Sequence, residues 1–212
     1  MSEPLGLLLV TMQPPSEMEE EFQDWYDDEH VPERAAIPGF LNARRYVCIE
    51  GWPRYVALYD LAHPDVLREP GYLAISGTNF SPWSKRILPR MQGLYRAEGV
   101  QISRPCAQIG ASGACEWLAL MKFRGVPADQ GEALVSTVRQ AYADKPAVAA
   151  ARVFRTSYNG EDEFLATIEL RRPLGLSQLR IDTLEPFASS LDLLNLYARY
   201  WRHGRLHGVL SD

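Results

Sequence analysis

The spacing of apolar residues changes several times along the chain, and each change marks an element. Residues 5–13, LGLLLVTMQ, read as a strand. Ser16 follows, with Glu19 three residues on, the pattern of a capping box that opens a helix. That helix is expected to run to about Val31, where Pro32 disturbs it. GFLNARRYVCIE and RYVALYDLA then read as two strands, and the GWP between them is turn chemistry, so they should form a hairpin. A broken helical region from Pro64 to about Met91 leads to a fourth strand, GLYRAEGVQI.

The order β-α-β-β-α-β is the ferredoxin-like arrangement, and the chain states it twice. SRPCAQIGASGACE, residues 103–116, has linker composition. After it come a strand (WLALMKFRG), a helix from Pro127 to Tyr142, and a hairpin turning at Asn159-Gly160. A helical region near 174–194 and a last strand, NLYARYWRHG, complete the order. NARRY aligns with AARVF, placing Arg44 over Arg152, and RYVALYDLAHP aligns with EFLATIELRRP, placing Asp60 over Glu169. Each half has a sheet with helices on one face and a bare apolar face opposite. Packing the bare faces together buries both, and closing the strands into a barrel removes free edges. The expected fold is therefore α+β: tandem ferredoxin-like repeats, residues 1–103 and 117–212 joined by a linker at 104–116, forming an intrachain pseudo-dimeric α/β barrel.

The first helix carries the candidate chemistry. Projected at about 100° per residue, Met18, Trp25 and Tyr26 fall within about 60° of Phe22. Asp24, Asp27 and Asp28 point away. Glu29 falls about 20° from Phe22, near the centre of the apolar stripe, and His30 about 80° away, at its margin. A carboxylate on a packing face is costly unless paired. Either Arg34, Arg44 or Arg45 ties Glu29 into an ion pair that docks the helix, or Glu29 orients His30 for acid/base work, to which an imidazole is suited. The helix of the second half, ADQGEALVSTVRQAYAD, has no Glu-His pair, which places the site in the first half. Strand alternation puts Arg44, Tyr46 and Cys48 on one side of their strand, and Tyr55 and Tyr59 on the side opposite Asp60.

The string WYDDEHVPERAAIPGF (25–40), within EFQDWYDDEHVPERAAIPGFLNARRY and followed by PRYVALYDLAHPDVL, resembles the dimeric α/β-barrel superfamily, in particular its EthD-like branch. The resemblance implies a ferredoxin-like barrel, often with a small-molecule pocket between sheet and helices. It implies no single reaction, since the superfamily spans cofactor-free monooxygenases, cyclases, lactone isomerases and haem-handling enzymes.

Composition narrows the field further. The chain has 212 residues, 46% apolar and 23% charged, with a net charge of −5. No basic run marks a nucleic-acid partner. LGLLLV is too short to span a bilayer, and no basic segment precedes it. Three cysteines without metal spacing point to a reducing, cytoplasmic setting rather than a disulfide scaffold. Cys48 reads as a small buried residue, and His63 as a surface or capping group. HGRLH (203–207) spaces two histidines by four, but Gly204 and a strand-like context argue against a metal site. There is no nucleotide-binding glycine loop. SGTNFSPWSKRIL (76–88) is a candidate cover for the pocket, with Asn79, Trp83, Lys85 and Arg86 able to meet a ligand.

Together these readings predict an enzyme that moves a proton on a small, apolar, oxygenated molecule without a bound cofactor. His30 is the expected acid/base and Glu29 its orienting carboxylate, with Arg34 or Arg44 holding an anion. Trp25, Tyr26, Tyr46, Tyr59 and Trp83 would line the pocket. A non-catalytic ligand-binding protein and a cofactor-free or haem oxygenase are the alternatives. A second copy of the chain is a candidate partner, as a homodimer.

Overall fold

The structure is a computed structural model that describes residues 3–111, 113, 115–158 and 160–201. Asn159 of the second hairpin and the HGRLH histidines lie outside the described residues.

Eight strands form a closed barrel. They are β1 (Gly6–Gln13), β2 (Phe40–Glu50), β3 (Tyr55–Leu61), β4 (Gln92–Gln101), β5 (Trp117–Arg124), β6 (Val148–Tyr158), β7 (Glu161–Leu170) and β8 (Leu191–Arg199). The order around the barrel is β1-β3-β2-β8-β5-β7-β6-β4, and the registered neighbours are antiparallel. Within β1–β4 the order is β4-β1-β3-β2. Within β5–β8 it is β8-β5-β7-β6, the same sequence of positions, so each half has the ferredoxin-like arrangement. The seams between halves are shorter than the ladders within them. β4 meets β6 over Gly99–Gln101, and β2 meets β8 over Tyr46–Glu50.

Alternation along each strand separates two environments. Leu7, Leu9, Val56, Leu58, Leu118, Leu120, Phe154 and Leu165 point inward and make a core shared by both halves. The alternate residues face outward under the helices. Leu8, Val10, Ala57 and Tyr59 pack beneath the first helix with Phe22, Trp25 and Tyr26. Ala119, Met121, Ala166 and Ile168 pack beneath the helix of the second half.

Several helix details differ from expectation. The first helical stretch, residues 16–35, continues past Pro32. It runs through a 3-10 turn (Ser16–Met18), α1 (Glu19–Asp24), a π-helical segment (Trp25–His30) and α2 (Val31–Ala35). Ser16 makes no capping box. Pro15 occupies the cap position, and the Ser16 hydroxyl donates to Glu17. Pro32 sits in the first turn of α2, where the bonding register changes and a missing donor is tolerated. The segment between β3 and β4 contains α3 (Pro70–Leu73) and α4 (Pro82–Ile87), linked by 3-10 turns. α5 (Gly131–Tyr142) is the main helix of the second half, and the region expected to be helical at 174–194 consists of 3-10 turns before β8 begins at Leu191. Pro173, Gly175 and Pro186 interrupt that region, so regular helix cannot propagate.

The two halves are joined by charge inside the barrel. Arg152 on β6 donates from Nη1 to Oδ1 of Asp60 on β3 at 2.7 Å, and its Nε lies 3.6 Å from Oε1 of Glu169. Arg152 is 2% exposed and Asp60 1%. The linker closes this end of the barrel. Ile109 N donates to Asp60 Oδ2 at 2.5 Å and Gly110 N to Glu169 Oε2 at 2.7 Å, while the Ala107 carbonyl accepts from Arg152 at 3.0 Å. Burial raises the Glu169 carboxyl above the ordinary glutamate value, and Arg152 opposes that shift. Gly110 has φ +76°, and a side chain there would collide with the Arg44 guanidinium. Removing one partner of such a pair leaves a buried charge alone. Asp60→Ala should therefore cost about 3–5 kcal/mol in urea unfolding. The double variant Asp60→Leu/Arg152→Met should lose less than the sum of its single changes.

Candidate functional site

The π-helical segment decides what the first helix presents to the sheet. Val31 N bonds to the Tyr26 carbonyl, an i→i−5 bond that widens the turn. Each residue then advances less than the 100° of an α-helix. Trp25, Tyr26 and His30 all end on the buried face, and Glu29 is turned to its flank.

His30 is buried, its ring 4.1 Å from that of Trp25 and 5.1 Å from that of Tyr26. Its Nδ1 and the hydroxyl of buried Tyr59 have no well-aligned hydrogen-bond partner. Burial holds the His30 pKa well below the ordinary histidine value, and the nearby guanidiniums of Arg34 and Arg45 add to the effect. The imidazole is therefore neutral at neutral pH. Burial likewise pushes Tyr26 up to about 12 and raises Tyr59, so both keep their protons. Arg34 is buried and donates from Nη1 to the His30 carbonyl at 3.2 Å and to Glu33 at 3.0 Å. Arg45 lies over the Tyr26 ring at 4.2 Å and is held by Asp27 at 2.5 Å and by Gln23. On its outer side Arg45 borders a groove of about 210 Å³ shared with Val31, Ala43 and Tyr200.

Glu29 meets neither His30 nor an arginine. Its Oε1 accepts from Ser81 Oγ at 2.5 Å and from Ser84 Oγ at 3.5 Å. Ser84 Oγ in turn accepts from the indole of Trp25 at 3.0 Å. The carboxylate thus reaches His30 through two side chains, by way of α4. Ser81 and Ser84 were not singled out in the sequence, although Ser81-Pro82 is a readable helix start. Ser81 Oγ caps α4 by accepting from Ser84 N at 2.9 Å, with Pro82 in the first turn.

The remaining candidates lie elsewhere. Arg44 and Tyr46 face the barrel interior, on the other side of the sheet from Tyr59, because their strand pairs with β3 so that Arg44 shares a face with Asp60. Burial pushes Tyr46 up to about 12. Trp83 binds Glu21 at 3.1 Å, nearer the start of the helix. Of the residues in 76–88, Asn79 donates to the Leu73 carbonyl and Arg86 pairs with Glu21. Cys48 is half-buried, its thiol raised to about 11 by burial. His63 faces Glu69 at 3.5 Å. The His30 cluster therefore unites Trp25, Tyr26, Arg34 and Tyr59 with His30, links Glu29 indirectly, and excludes Arg44, Tyr46 and Trp83.

No family model and no curated protein match this sequence. Solved structures do. An anthrone oxidase-like protein is 11% identical with a TM-score of 0.60, the match covering 94% of this chain and 92% of that one. A chlorite dismutase from Candidatus Nitrospira defluvii, in complex with imidazole, is 11% identical with a TM-score of 0.58 over 94% of this chain and 92% of that one. A candidate monooxygenase from Fusobacterium nucleatum is 8% identical with a TM-score of 0.55 over 94% and 93%. At these identities the likeness shows the fold alone, an eight-stranded α+β barrel built from two ferredoxin-like halves. Among the described residues, no helix is long and apolar enough to cross a membrane.

The lowered pKa of His30 makes stability depend on pH with a definite sign. Below about pH 6.5 the unfolded chain binds a proton at this position that the folded chain refuses. The resulting loss of stability begins near that pH and grows as pH falls towards the folded value. Denaturant melts between pH 7.5 and 5 should show a steeper loss for the wild type than for His30→Asn. Parallel curves would mean that His30 titrates normally in the folded protein.

Proposed function

We propose that this protein is a small-molecule enzyme that moves a proton on a largely apolar, oxygenated substrate, with His30 as the base and no nucleotide cofactor. One observation carries the reading: a buried imidazole, neutral at neutral pH, with an unpartnered Nδ1 among protonated tyrosines. Such an imidazole has a lone pair free for a substrate proton, and the anion formed beside it would offset the burial and the guanidiniums that otherwise disfavour imidazolium. Tyr59 and Tyr26 are hydrogen-bond donors for a substrate oxygen that gains charge, and Arg34 is the nearby cation that favours the resulting anion. Arg34 spends only one of its terminal nitrogens in the bonds described above, which leaves donors for that oxygen. The groove at Arg45 and Val31 is the proposed approach, and Tyr26, over which Arg45 lies, must shift for a substrate there to reach the enclosed imidazole. Isomerisation, cyclisation, lyase and hydrolytic steps all fit this set.

Glu29 is a positioning residue in this account. It fixes Ser84, Ser84 fixes the Trp25 indole, and the indole packs against the imidazole. The half containing β1–β4 carries the site, Ile109 and Gly110 of the linker close one end of the barrel, and β5–β8 complete it. A haem role would need an imidazole nitrogen facing a space of porphyrin size. His30 is enclosed by Trp25 and Tyr26 and lines none of the cavities described, and His63 is turned to Glu69. Among the described histidines, therefore, neither His30 nor His63 presents a nitrogen to such a space.

The test is turnover of a panel of lactones, phenols and keto acids, followed by NMR. His30→Gln should lower kcat/KM on any substrate found by about 10²–10⁴-fold, the usual contribution of a positioned acid/base. Glu29→Gln should lose less and should shift the pH profile rather than abolish it. Wild-type rates in His30→Gln would end the proposal.

A further inference from the structure

The opposite face of the sheet holds a second place built for a ligand. Where β4 and β6 part beyond their short seam, the barrel opens into a cavity of about 200 Å³. Leu120, Leu165 and Leu193 form its floor, and Thr11 and Tyr95 its inner wall. Its rim is apolar and exposed: Trp52 is 55% exposed, Leu94 51% and Tyr158 41%. Large apolar side chains standing together in solvent are unusual and call for a partner.

The rim is fixed in place by buried groups. Asn195, itself buried, accepts from Trp52 N at 3.3 Å and donates to the Trp52 carbonyl at 2.7 Å and to the Tyr197 hydroxyl at 2.7 Å. Gly93 (φ +57°) lies against the Trp52 and Pro53 rings, and any side chain there would collide with the indole. Gly51 (φ +121°) leaves room for the Asn195 amide in the same way. An exposed indole seated on a glycine, on a backbone anchored by a buried amide, is a preorganised contact surface.

The polar side of the cavity is charged yet balanced. Lys122 Nζ lies 2.7 Å from Asp192 and 4.8 Å from the Tyr95 ring. Arg124 bonds to buried Glu163 at 2.8 Å and approaches Asp192 at 3.4 Å, and the Tyr95 hydroxyl donates to Glu163. Two cations face two carboxylates, so a ligand carboxylate would enter a wall whose positive charge is already answered. An ammonium has three donors, and Asp192 occupies one of those of Lys122, which leaves donors for a neutral oxygen. An apolar cavity of about 150 Å³ accommodates benzene, so this one suits one or two fused rings.

We propose that the mouth of the barrel, between Trp52, Leu94 and Tyr158, binds a neutral aromatic molecule of one or two rings carrying a single hydroxyl or keto oxygen, with the rings against Trp52 and the oxygen on Lys122. This site is independent of His30, which lies on the other side of the sheet.

The test is calorimetric titration of the full chain with 2-naphthol, with 2-naphthoate and naphthalene as comparisons. 2-Naphthol should bind one to one and more tightly than either. Trp52→Ala and Leu94→Glu both alter exposed side chains and leave the core intact. Each should weaken binding about tenfold, the loss of one good aromatic or apolar contact, and His30→Gln should leave it unchanged. Failure of 2-naphthol to bind would overturn the proposal. So would tighter binding of 2-naphthoate, or binding that ignores both rim variants. Binding lost in His30→Gln alone would place the ligand at the helix face and likewise overturn it, while leaving the acid/base reading standing.

Discussion

The wide turn from Trp25 to His30 is the constraint on which the first half of the protein depends. A regular α-helix would bring Glu29 to the centre of the packing face, against Tyr59 and the apolar sheet. The i→i−5 register moves it aside. The carboxylate can then bond two serines of α4 instead of needing a buried cation. The same register brings His30 inward beside Trp25 and Tyr26. One change in backbone hydrogen bonding thus places an imidazole in a low-dielectric layer, keeps it neutral, and connects the helix to the segment that covers it. Insertions of this kind recur at functional sites because they trade regular bonding for a side-chain placement that α-geometry denies.

A single sheet serves two environments because its side chains alternate. The outer face of β2 and β3 lies beneath the helix and holds the His30 cluster. Their inner face carries Arg44, Tyr46 and Asp60 into the barrel. Asp60 meets Arg152 from the other half, and backbone N–H groups of the linker donate to one oxygen of each carboxylate at that end. At the opposite end Lys122, Arg124, Glu163 and Asp192 balance one another around an open mouth. Charges inside a barrel are costly unless paired, and each end solves the problem differently, one by closure with backbone donors and the other by a neutral network left facing solvent.

Much of the fold was legible in the sequence. The strands announced themselves by apolar runs between turn residues, and the repeated element order led to the barrel and to its two-half arrangement. The alignment that set Arg44 over Arg152 and Asp60 over Glu169 marked four residues that converge at one barrel end. The site was less legible. Projection at 100° per residue assumes α-geometry, and nothing in WYDDEH declares a π-segment. Glu29 was consequently set in the stripe and His30 at its margin, the reverse of their positions in the fold. Alternation showed that Tyr59 and Asp60 face opposite ways, but one strand alone does not reveal which side looks into the barrel. Arg44 and Tyr46 were therefore grouped with a helix they do not face. Trp52, Lys122 and Glu163 went unmarked because they converge only when strands from both halves close.

The proposed chemistry requires His30 to be a neutral, enclosed imidazole, and its ring nitrogens report on that directly. A ¹⁵N NMR titration from pH 8 to 5, assigned with a His30 variant, should show one neutral tautomer whose shifts stay constant through the ordinary histidine range near pH 6.5, with N-acetylhistidine in the same buffer as the comparison. A His30 signal that moves in step with N-acetylhistidine would show an imidazole open to solvent and to protons, and would contradict the placement and the chemistry argued for it.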